Sequence, residues 1–319
     1  MPYQMQFSTL GAPDVLERRE VHVPAPGPGE VLIRQDVVGL NFVDVYHRTG
    51  VYPLALPAAP GVEGAGVIEA LGPDVTGLTV GQRVAYAGVV GAYADQRILP
   101  AWRAIPLPDD LSAEMAGSSL LRGMTSYMLL QKLYPVSAGM QLLVHTGAGG
   151  LGSVVTRWAK LLGAEVIATV SSDEKAELAR AHGADHVIVG RGVDPVRSVE
   201  ELTDGKGVHL AIDGIGGAML AKSIACVRPF GMTASVGQVG GVAPPVPLSA
   251  LRSNALARPS VMAFSTDREA YRPAVEAVFA VMRRGILDRP SRRYALGEAA
   301  AAHADIEAGR LVGSALLVP

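Results

Sequence analysis

The sequence predicts an α/β fold of two domains, a β-rich domain and a domain built on a doubly wound parallel sheet. Residues 1–120 contain strand-like runs with glycine and proline at short intervals, which is typical of a small barrel or a distorted sheet. From residue 141 onward strand-like and helix-like segments alternate, as they do in a parallel sheet with helices on both faces. The length of 319 residues agrees with about two domains. We expect residues 1–123 and 266–319 to form the β-rich domain and residues 124–265 the other.

Composition and charge exclude several classes of protein. The net charge is −2 and no segment concentrates lysine and arginine, so we expect no nucleic-acid partner. No apolar run approaches the ~20 residues of a membrane-spanning helix, so we expect no membrane partner. Residues 1–10 lack the basic and apolar regions of a secretory signal. The single cysteine, Cys226, cannot form an internal disulfide, and these features together predict a cytoplasmic protein.

The elements of the β-rich domain can be predicted in chain order. Residues 31–40 form a strand candidate and residues 41–48 resemble a short helix. Two strands bounded by glycine turns follow. A helical pattern over residues 115–133 then leads into the second domain. The later segments return to the first domain as two helices and an apolar strand. The two strands, the two helices and the last strand are predicted at residues 61–72, 80–86, 271–284, 297–308 and 314–318.

The second domain opens with a strand-like run that ends in a glycine-rich turn and passes at once into an amphipathic helix. Three glycines follow the spacing G-x-G-x-x-G. We expect the first to turn the chain off the strand, the second to let the backbone approach a pyrophosphate, and the third to let the helix pack closely on the sheet. The helix N-terminus would then face the phosphates. A tight turn without a ligand is the alternative. The predicted dinucleotide site comprises Gly147, Ala148, Gly149, Gly150, Leu151 and Gly152.

The rest of this domain continues the alternation. A strand at residues 165–170 completes a βαβ unit, and further strands are predicted at residues 185–189, 208–213 and 231–237. We count Gly237, at the end of the last of these, among the cofactor-binding residues. The apolar segment Val261–Phe264 is predicted as the edge strand of the sheet. Since exposed apolar edges are usually paired, we expect a homodimer through it.

The turn after the second strand predicts which nicotinamide cofactor binds. An NAD-preferring site places Asp or Glu about 20 residues past the first glycine. Here Ser171, Ser172 and Lys175 offer two hydroxyls and a positive charge, which suit a 2′-phosphate better than a diol. Asp173 is the contrary observation, because a small shift of the loop would direct it at the ribose. We expect NADPH. The alternative is that Ser172 caps the next helix and Lys175 is a solvated surface charge.

The segment Gly-Val-Glu-Gly-Ala-Gly-Val at residues 61–67, together with the glycine turn, resembles the medium-chain dehydrogenase/reductase superfamily. The resemblance implies a GroES-like β-rich catalytic domain beside a Rossmann domain. Zinc alcohol dehydrogenases of this superfamily carry Gly-His-Glu at this point, with the histidine on zinc. Here Val62 occupies the histidine position, and a single cysteine cannot build their second zinc site. We therefore expect no metal.

Residues 39–53, 122–127 and 313–319 resemble one zinc-free branch, the NADPH:quinone oxidoreductases related to zeta-crystallin. By that resemblance, side chains of the first segment would line the substrate cleft beside the nicotinamide, and one threonine would contact the nicotinamide region. Relatives often have a tyrosine near Gly190 that closes the phosphate pocket, and Arg191 could replace it here. An arginine close to the cofactor is also expected at a late position. The implied residues are Asn41, Tyr46 and Tyr52 for the substrate, and Thr125, Ser172, Lys175, Arg191 and Arg310 for the cofactor.

The chemistry expected from these residues is direct hydride transfer from nicotinamide C4 to a quinone. Tyrosine offers a ring to stack and a hydroxyl to donate, and the Asn41 amide could donate to the oxygen that gains charge. Ordinary packing is the alternative for both tyrosines, and Asp44 is expected to cap a helix. Three functions stay open: a quinone reductase, an alkenal or enone reductase, and a cofactor-bound protein with a structural or nucleic-acid-binding role. Among the histidines, His145 is expected in the core and His303 at the surface.

Overall fold

The computed structural model describes residues 1–287 and 289–319. The chain divides into two compact units. Unit 1 comprises Met1–Met124 and Val261–Pro319, and unit 2 comprises Thr125–Ser260. No helix in the described part of the chain is both long and apolar enough to cross a bilayer.

The strands of the described residues form three sheets, one of two strands, one of six and one of seven. In chain order they are β1 (Tyr3–Gln6), β2 (Glu17–Glu20), β3 (Glu30–Leu40), β4 (Glu63–Leu71), β5 (Arg83–Ala87), β6 (Gln96–Pro100), β7 (Ile105–Pro106), β8 (Gln141–His145), β9 (Glu165–Val170), β10 (His186–Val189), β11 (Val208–Asp213), β12 (Val227–Ser235), β13 (Ala255–Ala257), β14 (Arg292–Ala295) and β15 (Ala315–Val318). The helices are α1 (Phe42–Arg48), α2 (Ala113–Tyr127), α3 (Gly150–Leu161), α4 (Asp173–Ala181), α5 (Val196–Leu202), α6 (Met219–Ala225), α7 (Val261–Phe264), α8 (Arg268–Arg283) and α9 (Ala299–Glu307).

Unit 1 is organised around β3, the longest strand. It pairs with β4, β6 and β15, all antiparallel, within the sheet order β14-β15-β3-β4-β5-β7. Burial alternates along the first half of β3, as expected for a strand with one face toward the core. The last four residues, 37–40, are all buried, and the chain runs directly from them into α1. Helix α1 is thus anchored on the most buried end of the central strand.

Unit 2 is a parallel sheet in the order β10-β9-β8-β11-β12-β13. Numbered within the unit, this is the order 3-2-1-4-5-6 of the Rossmann fold, and the order reverses between β8 and β11. Separate apolar clusters pack around Leu143 and Ile167 and around Ala168 and Val170. Because neighbouring residues of a strand point to opposite faces, both faces of the sheet are covered. The predicted doubly wound sheet is confirmed.

The prediction of an edge strand at Val261–Phe264 was wrong. These residues form the short helix α7, whose turn is closed by the Ser265 N–H donating to the Val261 carbonyl at 2.8 Å, and they belong to unit 1. The edge strands of the described sheet are β10 and β13, and β13 ends before Pro259. A four-residue apolar segment fits a strand or a helical turn equally well, and periodicity alone does not separate the two.

Candidate active site

The glycine turn of unit 2 connects β8 to α3. Thr146 adopts the left-handed conformation at φ 55°, and the Gly149 N–H donates to the Thr146 carbonyl at 2.7 Å. Helix α3 then begins at Gly150 with Gly149 at its cap, and no side chain bonds to the N–H groups at the cap. N–H groups in the first turn of a helix lack partners within the helix, so this end offers donors and a positive dipole to an anion.

The three motif glycines are required for different reasons. A Cβ at Gly147 would lie 2.6 Å from the Cβ of Ala168 on β9, and one at Gly152 would collide with the Thr146 carbonyl. The fold itself therefore demands both. Gly149 differs, since φ −82° and ψ 175° suit any residue and the nearest atom to an added Cβ is the Thr146 oxygen at 3.1 Å. The fold therefore does not itself require glycine here, which agrees with the role expected of Gly149, the close approach of a pyrophosphate to the backbone.

The loops after β11 and β12 are held together beside this turn. Asp213, at the end of β11, is fully buried and accepts the N–H groups of Ile215 and Gly216 at 2.8 and 2.9 Å. The Gly237 N–H donates to the Asp213 carbonyl at 3.3 Å, and a Cβ at Gly237 would lie 2.5 Å from the Gly214 carbonyl. The carboxyl ends of β8, β11 and β12 lie side by side in the sheet, and Gly237, expected to bind the cofactor, follows β12 at this edge.

A buried hydrogen-bond chain lies at the same edge. His145 contacts Thr169 Oγ1 and Ser223 Oγ, both at 2.9 Å, and Ser223 donates to Asp213 Oδ2 at 2.9 Å. Burial lowers the pKa of His145, which keeps its ring neutral. With a neutral ring, all three of these hydrogen bonds form when His145 Nε2–H donates to Ser223 and His145 Nδ1 accepts from Thr169. The core position predicted for His145 is confirmed, whereas its partners Ser223 and Asp213 were not predicted.

The residues predicted to hold a 2′-phosphate follow two paired strands. Strands β9 and β10 pair in register up to Val170 and Val189, so Ser171 and Arg191 come after neighbouring carboxyl ends. Ser172 caps α4, with Oγ accepting the Lys175 N–H at 3.4 Å, which matches the alternative considered for it. Its hydroxyl can still donate outward. Ser171, Ser172 and Lys175 are half-buried, whereas Asp173 and Arg191 are exposed.

The predicted substrate residues of unit 1 lie on α1 and just beside it in the chain. Asn41 is the N-cap, and its backbone N–H donates to Asp44 Oδ2 at 2.9 Å, which confirms the capping role expected of Asp44. The Tyr46 ring packs edge-on against Phe42 and Tyr52, each with ring centroids 5.2 Å apart. The Tyr52 N–H also donates to the Tyr46 carbonyl at 3.0 Å. Tyr46 and Tyr52 thus contact each other, and Asn41 lies at the start of the helix that carries Tyr46. The ring contacts also agree with the ordinary packing that was the alternative for both tyrosines.

Behind Asn41 lies a buried glutamate that sequence analysis left without a role. Glu63 on β4 is 0% exposed; its Oε1 accepts Asn41 Nδ2 and its Oε2 accepts the Leu121 N–H, both at 2.7 Å. A Cβ at Gly39 would lie 2.5 Å from the Glu63 Cγ. The signal available in the sequence was an acidic residue inside an otherwise apolar and glycine-rich strand, which must have polar partners if it is buried.

A second buried polar chain runs beneath α1. Tyr93 donates to Asp44 Oδ2 at 3.2 Å and contacts His303 Nε2 at 2.9 Å. Arg48, only 1% exposed, contacts His303 Nδ1 at 3.4 Å and donates to Glu307 at 2.6 Å. The prediction that His303 is a surface residue was wrong: it is 0% exposed, because α9 packs against α1 and turns this side chain inward.

Thr125 and Arg310 were the other predicted cofactor contacts. Thr125 is half-buried on α2 and is the first residue of unit 2. Arg310 belongs to unit 1, is exposed, and its Nε donates to Asp305 Oδ1 at 2.7 Å.

Within the described residues no group of three or more His, Cys, Asp or Glu side chains could hold a metal ion. Val62, at the position of the zinc-binding histidine, is fully buried.

Comparison with known proteins places this geometry in a family. Residues 27–109 match the alcohol dehydrogenase GroES-like domain and residues 150–280 match the zinc-binding dehydrogenase domain. The chain is 40% identical to quinone oxidoreductase of Pseudomonas aeruginosa, with 100% of both chains covered. It is 39% identical to 2-haloacrylate reductase of a Burkholderia species, covering 97% of this chain and 96% of the relative. The structure of Escherichia coli quinone oxidoreductase complexed with NADPH superposes with a TM-score of 0.95 at 35% identity, covering 99% of this chain and 100% of that one.

The GroES-like sheet and the Rossmann sheet with its glycine turn define a nicotinamide-dependent oxidoreductase of the medium-chain dehydrogenase/reductase superfamily. Within that superfamily the chain belongs to the quinone oxidoreductase family, as the full-length relatives show.

Proposed function

We propose that this protein reduces quinones with NADPH by direct hydride transfer and without a metal. The observation that carries the proposal is its full-length similarity to quinone oxidoreductases. The glycine turn and the N-terminus of α3, which no side chain caps, support dinucleotide binding independently of any relative.

NADPH, when bound, supplies the hydride. Several groups of unit 2 orient it and are assigned by their positions. Donors from the helix N-terminus meet the pyrophosphate, while hydroxyls and cations after β9 and β10 meet the 2′-phosphate. Thr125 is assigned to the nicotinamide region and Gly237 to the cofactor site, and Arg310 of unit 1 keeps a proposed role near the cofactor. The pyrophosphate residues are Gly147, Ala148, Gly149, Gly150, Leu151 and Gly152, and the phosphate residues are Ser171, Ser172, Lys175 and Arg191.

The quinone is assigned to the region of α1. Asn41 donates an amide N–H to the quinone oxygen as charge develops there, and the rings of Tyr46 and Tyr52 provide the apolar wall. Because quinones are good electrophiles, alignment and exclusion of water supply most of the catalysis, and water delivers the proton. Asp44 caps α1 and is not needed as a general base.

The alternative activity is reduction of an activated C=C bond, which the similarity to 2-haloacrylate reductase favours. The deciding experiment follows the oxidation of NADPH by its absorbance, with 1,4-benzoquinone and with a series of 2-alkenals. We expect turnover with the quinone to exceed that with every alkenal. The reverse ranking would favour the alternative, and NADPH binding without any turnover would favour a structural or nucleic-acid-binding role.

Lys175→Ala tests the choice of cofactor. A charged hydrogen bond contributes roughly 1.5–3 kcal/mol, so loss of the ammonium should weaken NADPH binding by about 10- to 150-fold and leave NADH binding unchanged. The measurement is fluorescence titration of both cofactors. The control is Lys206→Ala, which removes an exposed lysine of the same unit. An unchanged ratio of NADPH to NADH affinity would assign Lys175 to the solvated surface.

We also propose that the protein is a cytoplasmic homodimer. With Val261–Phe264 helical, β13 is the edge strand on this side of the sheet, and the connection before it exposes Val242 and Leu248 at 84% and 85%. Apolar side chains beside an unpaired edge favour its burial against a second copy. Light scattering at micromolar concentration should give twice the chain mass of 33.2 kDa, and a monomer mass would contradict the proposal.

A further inference from the structure

A buried carboxyl group lies directly behind the substrate-binding amide. Asn41 is 7% exposed and its Nδ2 lies 2.7 Å from Glu63 Oε1. The other oxygen of Glu63 accepts the Leu121 N–H from α2 at 2.7 Å. Both oxygens are therefore in use, and the carboxyl group is held between two elements of unit 1.

Glycine at position 39 keeps the volume that this carboxyl group occupies free of another side chain. Gly39 lies on β3, next to β4, and an added Cβ there would approach the Glu63 Cγ to 2.5 Å. Gly39 has no positive φ that would itself require glycine. The position of the Glu63 side chain explains why residue 39 is glycine. This supports a fixed position for the Glu63 side chain in the fold.

We propose that Glu63 is a positioning residue that fixes the orientation of the Asn41 amide, so that Asn41 presents an N–H rather than its carbonyl oxygen to the quinone. This inference rests on the proposed function of the same site. An ionised carboxylate only accepts hydrogen bonds, so it selects the NH₂ side of the amide. One N–H is donated to Glu63, and the second remains for the substrate oxygen. Burial raises the pKa of Glu63, and the Arg122 charge and the hydrogen bonds from Leu121 and Asn41 act in the opposite direction. Because each carboxyl oxygen accepts an N–H group at 2.7 Å, the geometry itself favours the ionised form.

Glu63→Gln tests the proposal because it keeps the shape and reverses the polarity. The side-chain oxygen of the introduced glutamine must still accept the Leu121 N–H, which turns its NH₂ toward Asn41. Two NH₂ groups cannot face each other, so the Asn41 amide rotates and exchanges its outward donor and acceptor. We expect kcat/KM for 1,4-benzoquinone to fall about 10- to 100-fold with little change in NADPH affinity. Glu69→Gln, on the exposed face of the same strand, should have no effect.

A double-mutant cycle separates positioning from plain structural support. If Glu63 acts through Asn41, adding Glu63→Gln to Asn41→Ala should cost no further activity. Additive losses would overturn the proposal, as would a Glu63→Gln protein that unfolds more easily yet keeps the wild-type kcat and KM. A wild-type enzyme that fails to reduce any quinone would count against the proposed function instead.

The orientation can be read without catalysis, including when Glu63→Gln fails to fold. In ¹⁵N-labelled wild-type protein, the Asn41 side-chain signals are identified by their loss in Asn41→Asp. We expect one of the two amide protons, the one donated to Glu63, to exchange slowly with water and the other to exchange fast. Equally fast exchange of both protons in the wild type would overturn the proposal.

Discussion

Replacing Gly149 with alanine is expected to weaken NADPH binding at least about 100-fold while the protein still folds. The backbone at Gly149 suits any residue, and an added methyl meets only the Thr146 carbonyl oxygen at 3.1 Å, which a small adjustment can relieve. The same methyl would project into the space assigned to the pyrophosphate. Displacing the phosphates from the helix N-terminus loses two or more charged hydrogen bonds of roughly 1.5–3 kcal/mol each, which gives the stated factor.

The measurement is a fluorescence titration with NADPH alongside thermal unfolding. Gly297→Ala is the matched control, since an added Cβ there meets nothing within 4 Å and the residue lacks a positive φ. Gly152→Ala should instead lower the temperature of unfolding, because its methyl would collide with the Thr146 carbonyl and destabilise the turn itself. Wild-type NADPH affinity in Gly149→Ala would show that the cofactor does not approach this turn.

Asp44→Asn is expected to make the protein more stable than the wild type at alkaline pH. Burial raises the pKa of Asp44 to about 8 in the folded state. A raised carboxyl pKa means that its stabilising contribution is complete below the unfolded value near 3.8 and is lost as pH rises toward about 8. Each pH unit in that range costs about 1.4 kcal/mol, so the total loss of unfolding free energy is on the order of 6 kcal/mol. Asparagine carries no charge and removes this loss.

The test is urea unfolding of both proteins from about pH 5 to about pH 9, with the difference in unfolding free energy plotted against pH. The change in unfolding free energy at acid pH provides an internal reference. Burial lowers the pKa of His47 to about 4 and of His303 to about 3, so their contribution is present above pH 6.5 and is lost as pH falls. Asp44→Asn leaves both histidines in place, so the variant should still lose the histidine contribution to stability as pH falls below 6.5. A difference that does not change with pH would show that Asp44 is ionised throughout.

The parts of this fold that could be predicted were those with a local signal. The turn from β8 into α3 was predictable because backbone geometry and phosphate chemistry both require glycine at fixed spacing. The alternation of strands and helices in unit 2 was predictable because buried parallel strands form short apolar runs between amphipathic helices. Asn41 and Asp44 sit at a helix start, where a short polar residue followed by an acid three positions later is a local pattern.

What could not be predicted depends on contacts between distant parts of the chain. Nothing near His303 shows that Tyr93, 210 residues earlier, will bond to its ring. Likewise, Glu63 acquires its significance from Asn41 and Leu121 on two other elements. The strand prediction at Val261–Phe264 failed for another reason, because four apolar residues carry too little periodicity to separate a strand from a helical turn.

The interleaved chain path of unit 1 has a consequence for the order of folding during synthesis. Unit 2 is one continuous segment and can fold as soon as residue 260 leaves the ribosome. Helix α1 obtains the His303 and Glu307 partners of Arg48 only about 255 residues after its own synthesis, and β3 obtains its neighbour β15 later still. Unit 2 can therefore mature first, while unit 1 stays incompletely paired until the last strand has been translated.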